Sequence, residues 1–115
     1  MSNDSALPLE ITVADLDAMR TRGDEFVLLD VRETAEYETA RIEGSKLLPM
    51  SEIQQRLSEL DEHREDHIVV QCHHGGRSMQ VTQFLQSQGF EKVQNLAGGI
   101  DQWSQRIDSS VPRYW

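Results

Sequence analysis

Apolar positions recur along the chain with two periods. Leu7, Leu9 and Ile11 alternate, which predicts a short first strand. Thr12-Val13-Ala14-Asp15 has the form of a capping box, and Leu16 and Met19 follow at helical spacing until Gly23 closes the helix. Phe26 to Val31 is apolar up to Asp30, as in a strand covered on both faces. Glu33 to Thr39 predicts a short helix, and Lys46-Leu47-Leu48 a third strand. Ser51-Glu52-Ile53-Gln54 reads as a second capping box, with Ile53, Leu57 and Leu60 on one helical face. A charged connection, Asp61 to Asp66, leads to the apolar strand Ile68-Val69-Val70. Val81, Phe84 and Leu85 line a helix that ends at Gly89. Val93 to Leu96 gives a last strand, and Ile100, Trp103 and Ile107 mark a terminal helix.

Strand and helix thus alternate five times. That order predicts an α/β fold, a central parallel five-stranded sheet flanked by helices on both faces. Ligands in such sheets bind at the carboxyl ends of the strands. Two polar groups fall at those ends: Asp30 with Arg32, and the loop that starts at Cys72. Residues 1–6 are polar and read as a flexible N-terminus, leaving residues 7–115 as a single domain.

Composition narrows the function. The 115 residues include 20 acidic and 11 basic side chains, a formal charge of −9. This balance argues against nucleic acid as a partner, since binding there rests on cations facing phosphate. No apolar run approaches the roughly 20 residues of a membrane span. The first ten residues lack the basic head and apolar stretch of a secretory signal. A lone cysteine can form neither an internal disulfide nor a Cys-based zinc site, so the expected setting is cytoplasmic. A single thiol is nevertheless all that thiol catalysis requires.

Cys72-His73-His74-Gly75-Gly76-Arg77-Ser78 lies between a buried strand and an amphipathic helix. Paired glycines permit positive φ and leave the amides uncovered. Successive N–H groups can then form an anion-binding nest, reinforced by the start of the helix and by the charge of Arg77. Such surroundings favour the nucleophilic thiolate. A structural cysteine would need neither the glycines nor the helix start.

Cys72-x-x-Gly75-x-Arg77 resembles the active-site loop of the rhodanese family of sulfurtransferases. Leu29-Asp30-Val31-Arg32-Glu33 with Glu36-Tyr37 is similar to that family's first signature. Gly89-Phe90, Asn95-Leu96, Gly98-Gly99-Ile100 and Trp103 are similar to its C-terminal one. The likeness runs from about residue 9 to 114. Ala40-Arg41 and Ser45 depart from it, where the family has Gly-His and Ala. The resemblance implies a rhodanese-like fold and double displacement through a Cys72 persulfide, with His73, His74, Gly75, Gly76, Arg77 and Ser78 around the bound sulfur. It implies thiosulfate or a similar small donor, a thiol or cyanide acceptor or a sulfur-accepting protein, and no metal or organic cofactor. A sulfur-carrier module, a non-catalytic binding module and a cysteine-dependent phosphatase or arsenate reductase are the alternatives.

Loop length separates the last of these. The phosphatase-type motif is Cys-x5-Arg, whereas four residues separate Cys72 from Arg77. The shorter ring of amides has less room for a phosphoryl group and suits one sulfur. Other residues stay open. His73 and His74 contribute mainly backbone N–H groups, or else tune substrate access. Asp30 and Arg32 brace the cysteine loop, or form an ordinary strand-end pair. His63 and His67 read as solvated loop residues, and Tyr114-Trp115 as a docking tail or a frayed end.

Overall fold

The computed structural model describes residues 7–114. The expected flexible segment 1–6 and Trp115 lie outside the described residues. The elements are β1 (Glu10–Ile11), α1 (Val13–Arg22), β2 (Val27–Asp30), α2 (Thr34–Thr39), β3 (Lys46–Leu47), β4 (Ile68–Gln71), α3 (Gly76–Ser87), β5 (Val93–Leu96) and α4 (Gly99–Arg106). The strands form one parallel sheet in the order β1-β5-β4-β2-β3. This is the expected α/β fold with its five parallel strands.

Side-chain alternation along the strands builds two cores. Leu28 and Val69 face one side with Leu16, Ile100 and Trp103 of α1 and α4. Leu29, Val70 and Cys72 face the other with Val81 and Leu85 of α3. Central β4 is buried at every position, as its apolar run requires. Its carboxyl end, where Cys72 stands, therefore opens in the middle of the sheet.

Local signals set the element ends. Thr12 and Asp15 make the reciprocal capping box, and Gly23 ends α1 in the left-handed region. The first strand is shorter than its pattern: it covers Glu10 and Ile11 only, Ile11 reaches the core, and Leu7 and Leu9 are each 40% exposed. The helix expected from Ser51 is also absent. Two 3-10 segments, Met50–Glu52 and Leu57–His63, stand there instead, the second running into the expected charged connection. The Ser51 hydroxyl is spent on Glu33 at 3.0 Å rather than capping a helix. Ile53 and Leu60 still reach the core and Leu57 packs against it, so the apolar spacing serves two 3-10 segments in place of one α-helix.

The chain turns into α4 directly beneath the cysteine loop. Ile100 and Asp101 donate their N–H groups to the Cys72 and His73 carbonyls at 2.9 and 3.0 Å. This approach needs Gly99: a Cβ there would lie 2.3 Å from the Cys72 oxygen and 2.6 Å from that of His73, at φ +57°. Gly99→Ala should therefore cost about 2–5 kcal/mol, from left-handed strain plus backbone overlap. Gly44→Ala, at φ +88° in open space, should cost only about 1–2 kcal/mol. Urea denaturation of both variants checks the difference; equal losses would remove the close approach as the cause.

Candidate active site

Cys72 follows β4 directly and is 1% exposed. Its Sγ faces the N–H of Gly75 at 3.1 Å, and the N–H and hydroxyl of Ser78, both at 3.3 Å. Gly75 is the N-cap of α3 and has no side chain to bond the helix's free amides. The sulfur fills that role, accepting from the third residue of the helix as a capping oxygen would. Gly75 sits at φ +114°, and a Cβ there would press on the Gly98 nitrogen at 3.3 Å.

The Ser78 hydroxyl lies between two acceptors, Cys72 Sγ and Asn95 Oδ1. It has one proton to give. The Asn95 amide is fixed by Glu10 at 2.8 Å and by the Gly75 carbonyl at 3.3 Å, which aims its oxygen at Ser78. Rotation about its Cβ–Oγ bond can turn that proton towards either acceptor.

Arg77 does not point at the sulfur. Both its arms meet Glu36, at 2.7 and 2.8 Å. Arg77 holds the Glu36 carboxyl down at about 2, and Glu36 in turn raises Arg77 above its ordinary range. Glu36 also receives the Glu33 N–H at the start of α2 and the Tyr114 hydroxyl at 2.7 Å.

Asp30 and Arg32 are both fully buried and paired at 2.7 Å. Arg32 reaches onward to the Ala40 carbonyl at 2.6 Å, the Glu36 carbonyl at 3.3 Å and the Tyr114 hydroxyl at 3.1 Å. Burial works against its charge; the bonds to Asp30 and Tyr114 overcome that and raise its pKa. At the positions that depart from the family, Arg41 lies over the Tyr37 ring and the Ser45 hydroxyl bonds the Ile42 carbonyl at 2.7 Å.

The His73 ring is stacked between His74 and Tyr114, with centroids 3.9 and 4.0 Å away. Burial and the neighbouring His74 keep His73 below its ordinary pKa, favouring the neutral ring. His73, His74 and Asp101 bring potential ligand atoms within 4.8 Å of one another. The two imidazoles are only 29° from parallel, so their in-plane lone pairs do not converge on one ion. Asp101 is already paired with Arg113 at 2.9 Å. His63 and His67 are apart in function as well: His63 meets Asp66, and His67 meets Gln94.

The structure thus brings Cys72, Gly75 and Ser78 together, sets Arg77 and Arg32 around them in separate ion pairs, and adds Glu36, Asn95 and Tyr114. In the sequence Glu36 and Asn95 stand within family signatures, and nothing beside them marks a task. No helix among the described residues is long and apolar enough to cross a membrane.

The chain is similar to several known proteins. The family model described as "Rhodanese-like domain" matches residues 12–106. A "Sulfurtransferase" of Allochromatium vinosum is 35% identical over 95 residues, covering 83% of this chain and 87% of the relative. A "Thiosulfate sulfurtransferase GlpE" of Coxiella burnetii is 35% identical over 79 residues, covering 69% and 72%. The crystal structure of a Staphylococcus saprophyticus protein superposes with a TM-score of 0.77 at 27% identity, covering 92% of this chain and all of that one. The chain spans between 23% and 56% of the length of four other curated relatives it matches.

The Glu36–Arg77 pair sets a pH dependence. Glu36 titrates at about 2 in the fold against an ordinary 4.5. Its contribution is complete above pH 4.5 and is lost as the pH falls towards 2, where the unfolded chain takes the proton first. Glu36→Gln should lower stability at pH 7 by about 1–3 kcal/mol, the lower end reflecting solvent screening at the partly exposed arginine. Urea titrations from pH 7 to 2 should show the wild-type advantage vanish across that window. A constant advantage would trace it to packing.

Proposed function

The chain belongs to the rhodanese-like family of sulfurtransferases, and from that premise we propose that it transfers a sulfane sulfur through a persulfide on Cys72. The observation that carries this reading is the set of three donors converging on one buried sulfur. The Cys72 thiolate attacks the outer sulfur of thiosulfate or a similar donor. The bond between that sulfur and the sulfite sulfur breaks, and its electron pair leaves with sulfite. Cys72 then carries an anionic outer sulfur. Cyanide, or the thiolate of a small or protein-borne thiol, attacks that atom; the Cys–S bond breaks and its electrons return to Cys72.

The residues have distinct tasks in this scheme. The amides of Gly75 and Ser78 stabilise negative charge without having to reorganise, and the Ser78 hydroxyl adds its proton by turning from Asn95 to the sulfur. The remaining residues of the loop, His73, His74 and Gly76, complete the ring around the transferred atom. Arg77 acts through Glu36: it anchors the end of the loop rather than binding the donor with a free charge. Asp30 and Arg32 support the loop from the adjoining strand. A reducing cytoplasm is the proposed setting, where a lone thiol stays available and thiol acceptors abound. The loop count weighs against a phosphatase.

Intact-mass measurement tests the reading. Thiosulfate should add one sulfur atom to the protein, cyanide should remove it, and Cys72→Ala should show neither. An adduct on the alanine variant would end the assignment. Ser78→Ala, which deletes one donor, should lower kcat by about 10–1,000-fold while the protein remains folded. Unchanged turnover in that variant would show that the hydroxyl serves Asn95 alone.

A further inference from the structure

Tyr114 touches the start of the cysteine loop directly and its end through Glu36. Its ring lies flat against His73, the residue after the nucleophile, with centroids 4.0 Å apart and planes 11° from parallel. Its hydroxyl donates to Glu36 at 2.7 Å and accepts from Arg32 at 3.1 Å. Glu36 is the carboxylate that grips Arg77, the residue before Ser78. One side chain therefore reaches the start of the loop through its ring and the end of the loop through its hydroxyl.

The intervening chain is held by its backbone and offers little side-chain packing. Gly75 and Gly76 carry no side chains to pack, and the His74 side chain is 65% exposed. The tail that delivers Tyr114 is itself fastened. Arg113 pairs with Asp101 of α4, and the Ser104 hydroxyl donates to the Val111 carbonyl. Asp101 donates its own N–H to His73, so tail and loop share one support.

We propose that Tyr114 is a positioning residue for sulfur transfer at Cys72, bracing the two ends of the amide ring so that the Gly75 and Ser78 donors stay aimed at the sulfur. This rests on the persulfide reading above, and the brace can also be measured without it. The phenol keeps its proton throughout the neutral range, because burial pushes its titration up to about 12. The donor to Glu36 is therefore constant with pH.

Tyr114→Ala and Tyr114→Phe test the proposal by steady-state kinetics with thiosulfate and cyanide and by amide hydrogen exchange. The alanine variant should lose about tenfold or more in kcat, the scale of one ring stack or hydrogen bond, with KM for thiosulfate little changed. Tyr114→Phe keeps the stack and should fall between. Exchange at the Gly75 and Ser78 amides should rise in the alanine variant while the Val69 and Val70 amides stay protected. Wild-type kcat in Tyr114→Ala overturns the proposal, and so does exchange that rises equally across the sheet, which would mean global destabilisation. If the wild type accepts no sulfur while the loop amides still respond, the persulfide reading fails and the brace stands as a property of the loop.

Discussion

A guanidinium with no solvent exposure stands at the carboxyl end of the sheet, and the surroundings of the nucleophile are arranged about it. Arg32 is paired with Asp30 across a two-residue step, and its outer arms fasten the Ala40 and Glu36 carbonyls and the Tyr114 hydroxyl. Breaking such a pair by removing one partner typically costs about 3–5 kcal/mol, because the other charge is left buried. Replacing both with apolar residues would avoid that cost and would also release the end of α2 and the C-terminal tail. The pair is thus better understood as a fixing point than as a source of stability. It joins elements that share no β ladder: the end of β2, the helix that carries Glu36, and a segment 82 residues further along the chain.

Neutralisation is the second consequence. Each cationic side chain bordering the loop already has a carboxylate: Arg32 has Asp30, Arg77 has Glu36 and Arg113 has Asp101. With a formal charge of −9, the chain offers no long-range attraction for an anionic donor. What remains to hold negative charge is the set of backbone dipoles at the start of α3 and one hydroxyl. Dipoles of this kind act over short range and are already oriented, so they suit charge that appears on one atom during a reaction. They do little to concentrate a free dianion from solution.

The legible and illegible parts of the site differ in sequence separation. The capping box at Thr12, the strand ending at Cys72 and the glycine-opened helix after it all rest on contacts within a few residues, where composition and spacing carry the information. Glu36 meets Arg77 from 41 residues away, and Asn95 meets Ser78 from 17. In the sequence Glu36 is an ordinary acidic residue in a short polar helix, and Tyr114 an aromatic near the chain end. Glu36 falls in a family signature and Tyr114 in a candidate docking tail, but no neighbouring residue marks the distant partner of either. Ser51 shows the converse: its four-residue motif was locally valid, but a distant partner, Glu33, took the hydroxyl and the helix did not form. A local pattern fixes what a segment can do, and the tertiary partner then selects among those options.

Burial of the nucleophile adds a geometric condition. A thiol that is 1% exposed cannot be approached by a bulky acceptor, yet sulfur must leave the site. In the proposed intermediate the second sulfur extends the side chain by one S–S bond, about 2.05 Å. In that scheme the reactive atom stands one bond beyond the buried Sγ, and the ring of amides serves the outer sulfur as well as the inner one. On the proposed mechanism the donor must be narrow where it reacts, because the Sγ it has to reach is buried. The acceptor need only meet the outer sulfur. On this reading the burial that favours a slender donor leaves the outer sulfur for a thiol acceptor to meet.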